Sequence, residues 1–69
     1  MAEIKMTMRA ARVNAGLTQT DIAKAVGVNV STVVSWEKGY SIPFADKFKR
    51  FCEMCNVPMD SVLLPNDPT

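Results

Sequence analysis

Three glycines divide this chain into short segments of similar length. Gly16, Gly27 and Gly39 lie 11 and 12 residues apart. Glycine is favoured just past the end of a helix, because the backbone there adopts a left-handed conformation that most other residues avoid. The spacing therefore predicts short helices joined by tight turns. The segment 26–34 is rich in β-branched residues, but its apolar residues do not alternate as in a strand, and we interpret it as helical.

Apolar residues recur at helical spacing in every segment, which predicts an all-α fold of five short helices. The expected bounds are about 7–15, 19–26, 29 or 30 to 38, 44–55 and, for a last short turn, 58–64. The residues expected to face the core are Met8, Ala11, Ala15, Leu17, Ile22, Ala23, Val26, Val33, Trp36, Phe48, Phe51, Cys52, Cys55, Met59, Val62 and Leu63. A single domain is expected over 1–69, with a core of about 7–64 and a polar tail at 65–69 whose composition suits a linker.

The segment 19–38 has the residues that two closely crossed helices need. Thr18 and Asp21 have the spacing of a capping box, which predicts that a helix begins between them. Two helices joined by a turn of three or four residues require a small side chain where they cross and a residue that tolerates positive φ in the turn. Ala23 and Gly27 lie where these two requirements fall.

The composition argues against catalysis, metal binding and secretion. Histidine, the usual general base and commonest metal ligand, is absent, and no nucleophile and base are paired. Cys52 and Cys55 have the spacing of a redox or metal motif, but with no second ligand pair they are expected to be buried thiols. We expect no enzyme, cofactor, metal or small-molecule ligand. No apolar run approaches the ~18 residues that span a bilayer, and the first residues lack a secretion signal, which predicts a cytoplasmic protein.

The residues from 17 to 43 resemble a known family. The resemblance rests on the lead-in Leu17-Thr18-Gln19, on inward apolar residues at Ile22, Val26, Val28, Val33 and Trp36, and on the exit Trp36-Glu37-Lys38-Gly39-Tyr40-Ser41-Ile42-Pro43. Together these resemble the phage-repressor and Cro-like helix-turn-helix family (XRE-type, lambda-repressor-like), over about residues 8–64. The resemblance implies a compact five-helix DNA-binding domain whose second and third helices form the helix-turn-helix.

The resemblance also implies roles for three polar residues. In that family an arginine of helix 1 pairs with a glutamate at the end of helix 3, and Arg12 and Glu37 occupy these positions. A glutamine of the family anchors the start of helix 2 at the DNA backbone, and Gln19 matches it. On the residues alone, Arg12 and Glu37 could also be separate surface charges.

A helix that enters the major groove touches base edges through residues that face away from the core. With Val33 and Trp36 facing inward, the expected base-reading residues are Val30, Ser31, Thr32, Val34 and Ser35. None of these is the Arg, Lys, Asn or Gln that makes bidentate contacts to a base. The sequence therefore predicts modest specificity, with a preference for thymine and some recognition of DNA shape.

Phosphate contacts are expected at the start of the second helix, where unpaired amides and the positive end of the helix dipole attract an anion. Such a site needs little net charge, and the chain has a formal net charge of only +1. The expected phosphate-binding residues are Thr18, Gln19, Arg9, Lys38 and Tyr40, with Lys5 and Lys47 as further candidates. Arg9 could equally be a solvated helix residue, and a solvated face is the default interpretation of Lys47.

We therefore expect a sequence-specific transcriptional regulator that binds double-stranded DNA and acts as a repressor, in the bacterial cytosol or nucleoid. One recognition helix covers only a few base pairs, so we expect a homodimer on a palindromic operator with half-sites about 34 Å apart. The alternative is a protein-interaction module, antitoxin-like or an adaptor, that keeps the fold and binds its partner through Val30, Val34 and C-terminal residues such as Leu64.

Overall fold

The structure, a computed structural model, describes residues 5–64 as four α-helices and one turn of 3-10 helix. The helices are α1 (Met8–Asn14), α2 (Gln19–Val26), α3 (Val30–Lys38) and α4 (Ala45–Cys55), and the 3-10 turn is Met59–Ser61. The all-helical prediction is confirmed for this part of the chain, and the four helices begin and end within one residue of the predicted bounds. The predicted tail at 65–69 lies outside the described residues. None of the described helices has the length and apolar character needed to cross a membrane.

The fifth helix, expected as a short turn over about 58–64, is a single turn of 3-10 helix, Met59–Ser61, so the count of five helices is not confirmed. Only three residues after Pro58 are helical, because the chain becomes extended again at Val62, with φ −119° and ψ 129°. The Met6 amide donates to the Ser61 carbonyl (2.9 Å) and the Leu63 amide donates to the Met6 carbonyl (2.8 Å). These bonds form an isolated parallel bridge between Met6 and Val62. Backbone groups that could have continued a helix are therefore bonded to the segment before α1.

Helix α2 begins with the predicted capping box and ends at a left-handed glycine. The Thr18 hydroxyl accepts from the Asp21 amide (3.0 Å), and the Asp21 carboxylate accepts from the Thr18 amide (2.8 Å). The bond from the Thr18 amide favours the charged carboxylate and lowers the pKa of Asp21. At the other end, Gly27 has φ 85° and no atom lies within 4 Å of where a Cβ would be. Backbone conformation, not space, requires glycine at this position.

The four helices enclose one hydrophobic core. Its buried residues are Met8, Ala11, Ile22, Ala23, Val26, Val33, Trp36, Phe48, Phe51, Cys52, Cys55 and Val62. The predictions for α2, α3 and α4 are confirmed in full. Two predicted core residues are exposed: Ala15 lies at the C-cap of α1, beyond its buried face, and Met59 is 41% exposed because one 3-10 turn has no continuous face to bury.

Helix α4 contacts the C-terminal end of α2 through two basic side chains. Lys47 Nζ donates to the Val26 carbonyl (3.5 Å), and Arg50 Nε donates to the Ala25 carbonyl (3.3 Å). Cations are favoured here because the last carbonyls of a helix lack intrahelical partners and carry partial negative charge. The structure thus places Lys47, a candidate phosphate contact, at the end of α2, where it helps to hold the turn that leads into α3.

The N-cap of α4 is occupied by an aromatic residue. Phe44 makes no side-chain cap hydrogen bond and is 80% exposed. A serine hydroxyl at this position satisfies one of the first helical amides, so we expect Phe44→Ser to raise the free energy of unfolding by about 1 kcal/mol in urea titrations. The control is Phe44→Ala, which removes the ring without adding a hydroxyl. Equal stability of the serine and alanine variants would contradict the prediction.

Candidate nucleic-acid interface

One side of helix α3 packs in the hydrophobic core, and the other side is accessible. Val33 has 0% and Trp36 4% of its surface exposed, and both pack in the core. On the opposite side Val30 is 39% exposed, Ser31 is exposed and Val34 is half-buried. Residues three or four apart on a helix are neighbours, so Val30, Ser31 and Val34 form one continuous surface. We call these three residues the outer face of α3.

Thr32, another predicted base-reading residue, lies on the flank of α3. It is half-buried and lines a shallow, mostly apolar hollow together with Val28, Ile42, Pro43 and Phe44. The hollow lies between α3 and the connection from α3 to α4. Thr32 therefore lies next to the outer face of α3 but is not part of it.

The structure places Ser35 differently from the prediction of a freely outward side chain. Ser35 is half-buried, and its hydroxyl oxygen lies 2.8 Å from that of Ser41, at hydrogen-bonding distance. The Tyr40 amide also donates to the Ser35 carbonyl (2.9 Å), where the chain turns back after Gly39. The Ser35 hydroxyl ties the end of α3 to the following connection, so only part of its hydrogen-bonding capacity remains for an external partner.

Asn29, at the start of α3, is not among the residues predicted to contact bases. It occupies the N-cap of α3, but its side chain makes no cap hydrogen bond and the residue is exposed. A carboxamide carries an adjacent donor and acceptor that match the major-groove edge of adenine. Its position at the start of α3 could have identified it as a candidate base contact, because the N-terminal residues of a recognition helix contact base edges.

The start of α2 presents several hydrogen-bond donors. The Thr18 hydroxyl oxygen accepts within the capping box, which leaves its proton to donate outward. The amides of Gln19 and Thr20 occupy the first two helical positions, which have no partner within a helix. Asp21 is exposed on the same turn, and its carboxylate offsets part of the positive end of the dipole. An anion here would be held by directed donors rather than by net charge.

Arg12 and Glu37 meet in a partly buried cluster that joins three helices. Arg12 Nε donates to Glu37 Oε2 (2.6 Å) and Arg12 Nη2 to Glu37 Oε1 (3.3 Å), a bidentate arrangement. Arg12 Nη1 also donates to the Leu17 carbonyl (2.9 Å), and Gln19 Nε2 donates to Glu37 Oε1 (3.1 Å). The side chains of Arg12 and Glu37 are 13% and 5% exposed. The cluster links α1, the start of α2 and the end of α3, and it fixes the orientation of the side-chain amide of Gln19.

The remaining predicted phosphate contacts are exposed side chains. Arg9, Lys38 and Lys5 are exposed, and Tyr40 is 79% exposed. Among residues 5–64, no carboxylate lies within salt-bridge distance of the Arg9 or Lys38 side chain. These groups are accessible to an external anion. By contrast, the side chains of Arg50 and Glu53 form an exposed pair at 3.7 Å.

The two cysteines are both reduced and buried in α4. Burial raises the pKa of the Cys52 thiol to about 11, and burial also raises the pKa of Cys55. Within residues 5–64, no three histidine, cysteine or acidic side chains come together in a way that could hold a metal ion. In the described part of the chain the C-x-x-C motif is a pair of core residues.

The raised pKa of Cys52 makes stability depend on alkaline pH. The unfolded chain releases this proton near the ordinary pKa of 9.0, whereas the folded protein holds it until about 11. The stabilisation is complete below pH 9 and is lost as the pH rises towards 11, by up to about 2 kcal/mol. We expect Cys52→Ala to lose less stability than the wild type between pH 8.5 and 11 in urea titrations. Equal losses in the two proteins would contradict this assignment.

The comparison with known families agrees with this arrangement. The helix-turn-helix family model matches residues 8–62, which include all four α-helices, the Arg12–Glu37 cluster and the outer face of α3. No curated protein and no solved structure gives a significant match. The match extends over most of the chain, and α2 and α3 lie within it as the pair of helices joined at Gly27. This chain therefore belongs to the helix-turn-helix family of Cro-like and phage-repressor-like DNA-binding regulators.

Proposed function

We propose that this protein is a sequence-specific transcriptional repressor that inserts α3 into the major groove of double-stranded DNA. The observation that carries the proposal is the open outer face of α3, beside the donors at the start of α2. A helix fits the major groove of B-DNA, and the inward anchors Val33 and Trp36 hold α3 so that its opposite side is presented. The protein acts by occupying its operator, without catalysis, in the bacterial cytosol or nucleoid.

The first turn of α3 contains no acidic residue, and neither does that of α1. In the proposed orientation, no carboxylate of the first turn of α3 would therefore face the DNA phosphates.

The base contacts that we propose follow from the exposure of the side chains. Val30 and Val34 present methyl groups to thymine, and the Ser31 hydroxyl bonds a base directly or through water. Thr32 contacts the DNA from the flank of α3. The Ser35 hydroxyl contributes only the hydrogen-bonding capacity that its bond to Ser41 leaves free. The side chains of α3 supply few bidentate contacts, which supports modest specificity aided by DNA shape.

The phosphate contacts that we propose lie at the start of α2, on α1 and at the end of α3. The amides and side chains of Thr18 and Gln19 hold one phosphate, and Arg9, Lys38 and Tyr40 contact others. Each cation that neutralises a phosphate contributes about −0.9 to the slope of log affinity against log salt concentration. Arg9 and Lys38 together predict a slope of about −2 for each protomer.

A homodimer on a palindromic operator completes the proposal. One recognition helix contacts only a few base pairs, and two protomers related by a two-fold axis would place their helices one turn of DNA apart. Leu64, 40% exposed, and Met59 lie on the C-terminal side of the fold and are candidates for the contact between protomers.

Selection of bound duplexes from a random pool, followed by titration of the selected duplex at several salt concentrations, tests the proposed function. We expect a palindromic consensus and an affinity that falls steeply with salt. An interface for an apolar protein partner would barely respond to salt. Failure to enrich any duplex, or an affinity independent of salt, would contradict DNA binding and favour a protein-interaction module.

The two serines of α3 are expected to differ when each is replaced by alanine. Ser31→Ala removes an exposed hydroxyl from the outer face, so it should change the selected consensus while thermal stability stays within about 0.5 kcal/mol. Ser35→Ala removes the bond to Ser41, so it should lower the free energy of unfolding by about 1 kcal/mol and change the consensus less. Selections and thermal melts with both variants measure this. A consensus that Ser31→Ala leaves unchanged would contradict the proposed base contact.

A further inference from the structure

We propose that the outer face of α3 recognises the C5 methyl group of pyrimidines, so that this protein prefers 5-methylcytosine over cytosine at operator positions where it selects thymine. The inference rests on the proposed DNA-binding function and concerns which chemical group the same surface recognises. It makes DNA methylation at C5 a modification to which the protein responds.

The side chains of α3 that can meet a base are mostly apolar. Val30 and Val34 are four residues apart and lie above one another on the outer face of α3. Val30 is 39% exposed and Val34 is half-buried, so isopropyl groups form most of this row. Ser31 adds one small hydroxyl beside them. The hydroxyl of Ser35, one turn further on, is already bonded to Ser41.

In the major groove, a valine side chain can distinguish bases only by their apolar surface. Thymine presents an acceptor oxygen and a C5 methyl group, whereas cytosine presents an amino donor and no methyl group. A valine side chain has no hydrogen-bonding group, so it cannot separate the oxygen from the amino group. It gains only by removing apolar surface from water, and a C5 methyl group offers such surface.

The base 5-methylcytosine carries its methyl group on the same ring carbon as thymine. A surface of valine side chains therefore meets the same group on both bases. Polar neighbours such as Ser31 and Asn29 can still distinguish thymine from 5-methylcytosine, because the exocyclic group and the paired purine differ. The comparison that isolates the methyl group is therefore uracil against thymine, and cytosine against 5-methylcytosine, at one position.

The size of the effect follows from the burial of one methyl group. About 0.8 kcal/mol per buried carbon corresponds to a change in Kd of about fourfold, and incomplete burial reduces it. We expect a two- to fourfold loss of affinity when deoxyuridine replaces a single thymine, and one or two positions of each half-site should show this loss when they are replaced one at a time. We expect a two- to fourfold gain when 5-methylcytosine replaces cytosine at the same positions.

The test uses the full chain and synthetic duplexes based on the sequence selected from an unmodified random pool. Thymine is replaced by deoxyuridine at one position at a time, and the T·A pair is separately replaced by C·G with and without a C5 methyl group. Fluorescence anisotropy gives Kd for each duplex. The variants Val30→Ala and Val34→Ala should each reduce the methyl effects, because alanine reaches less far than valine, and they should remain folded because alanine favours a helix more than valine does. Val13→Ala, on the 56% exposed Val13 of α1, is the matched control that should retain both effects.

Equal Kd values for thymine and deoxyuridine at every position would overturn the inference, as would methyl effects that are undiminished in both α3 variants. If the protein binds the unmodified duplex with the expected salt dependence but ignores the methyl group, the inference alone fails. If it binds no unmodified duplex, the proposed function fails and the inference fails with it.

Discussion

Replacing Glu37 by glutamine is expected to lower the free energy of unfolding by about 3–5 kcal/mol, measured by urea titration at pH 7. The variant keeps the shape of the side chain but removes its charge, so Arg12, whose side chain is 13% exposed, loses its counter-ion. The bidentate pair at 2.6 and 3.3 Å becomes a weaker contact to an amide. Gln19 loses its carboxylate acceptor as well. A domain of this size has a small core, so the loss is a large part of its total stability.

The matched control is the same substitution in an exposed pair. Glu53 lies 3.7 Å from Arg50, and both side chains are more than half exposed. Surface pairs contribute about 0–1 kcal/mol, so Glu53→Gln should have little effect. A second variant that combines Arg12→Met with Glu37→Leu should recover much of the stability, because it leaves no buried charge without a partner. If Glu37→Gln and Glu53→Gln destabilise the protein equally, the cluster does not stabilise the fold as described.

Replacing Ser31 by aspartate is expected to weaken binding of the selected duplex at least tenfold while leaving the protein equally or more stable. The new carboxylate on the outer face would lie against the DNA, where placing like charges together costs several kcal/mol. On the free protein the same carboxylate lies in the first turn of α3, which has no acidic residue. It should raise the free energy of unfolding by about 0.3–1 kcal/mol through the helix dipole. Anisotropy and urea titrations measure the two effects separately.

Lys49→Gln is the control for net charge. It also lowers the charge of the protein by one, and Lys49 is an exposed residue of α4 outside the proposed interface. Any general electrostatic effect should be the same in both variants, so Lys49→Gln should weaken binding much less than Ser31→Asp. A loss of affinity that is equal in the two variants would show that the outer face of α3 is not against the DNA.

Local patterns predicted the parts of the fold that depend on neighbouring residues. The ends of α2 follow from Thr18 and Gly27, because a capping box and a left-handed glycine act within a few residues of each other. The buried faces of α2 and α4 follow from apolar spacing, since one helix side must face the core. Apolar spacing also distinguished the inward-facing residues Val33 and Trp36 from the outer face of α3.

Contacts could not be predicted where the residues are distant in sequence or lie outside the regular helical spacing. The Met6–Val62 bridge joins two segments with no strand pattern, and it follows directly after the 3-10 turn, which is shorter than the turn expected over 58–64. The bond between Ser35 and Ser41 depends on how the chain turns after Gly39, so exposure inferred from helical spacing overestimated how far Ser35 is open. The placement of Lys47 at the end of α2 depends on the packing of α4, which periodicity does not specify.

The most direct test of the account is to map the DNA contact on the folded protein. Uniformly 15N-labelled protein is titrated with the selected duplex, and the change in each backbone amide resonance is recorded by NMR. We predict that the largest changes occur at residues 18–20 and 29–34, with small changes across the α4 residues 48–55. Changes confined to residues 59–64, or absent from 29–34, would contradict the account.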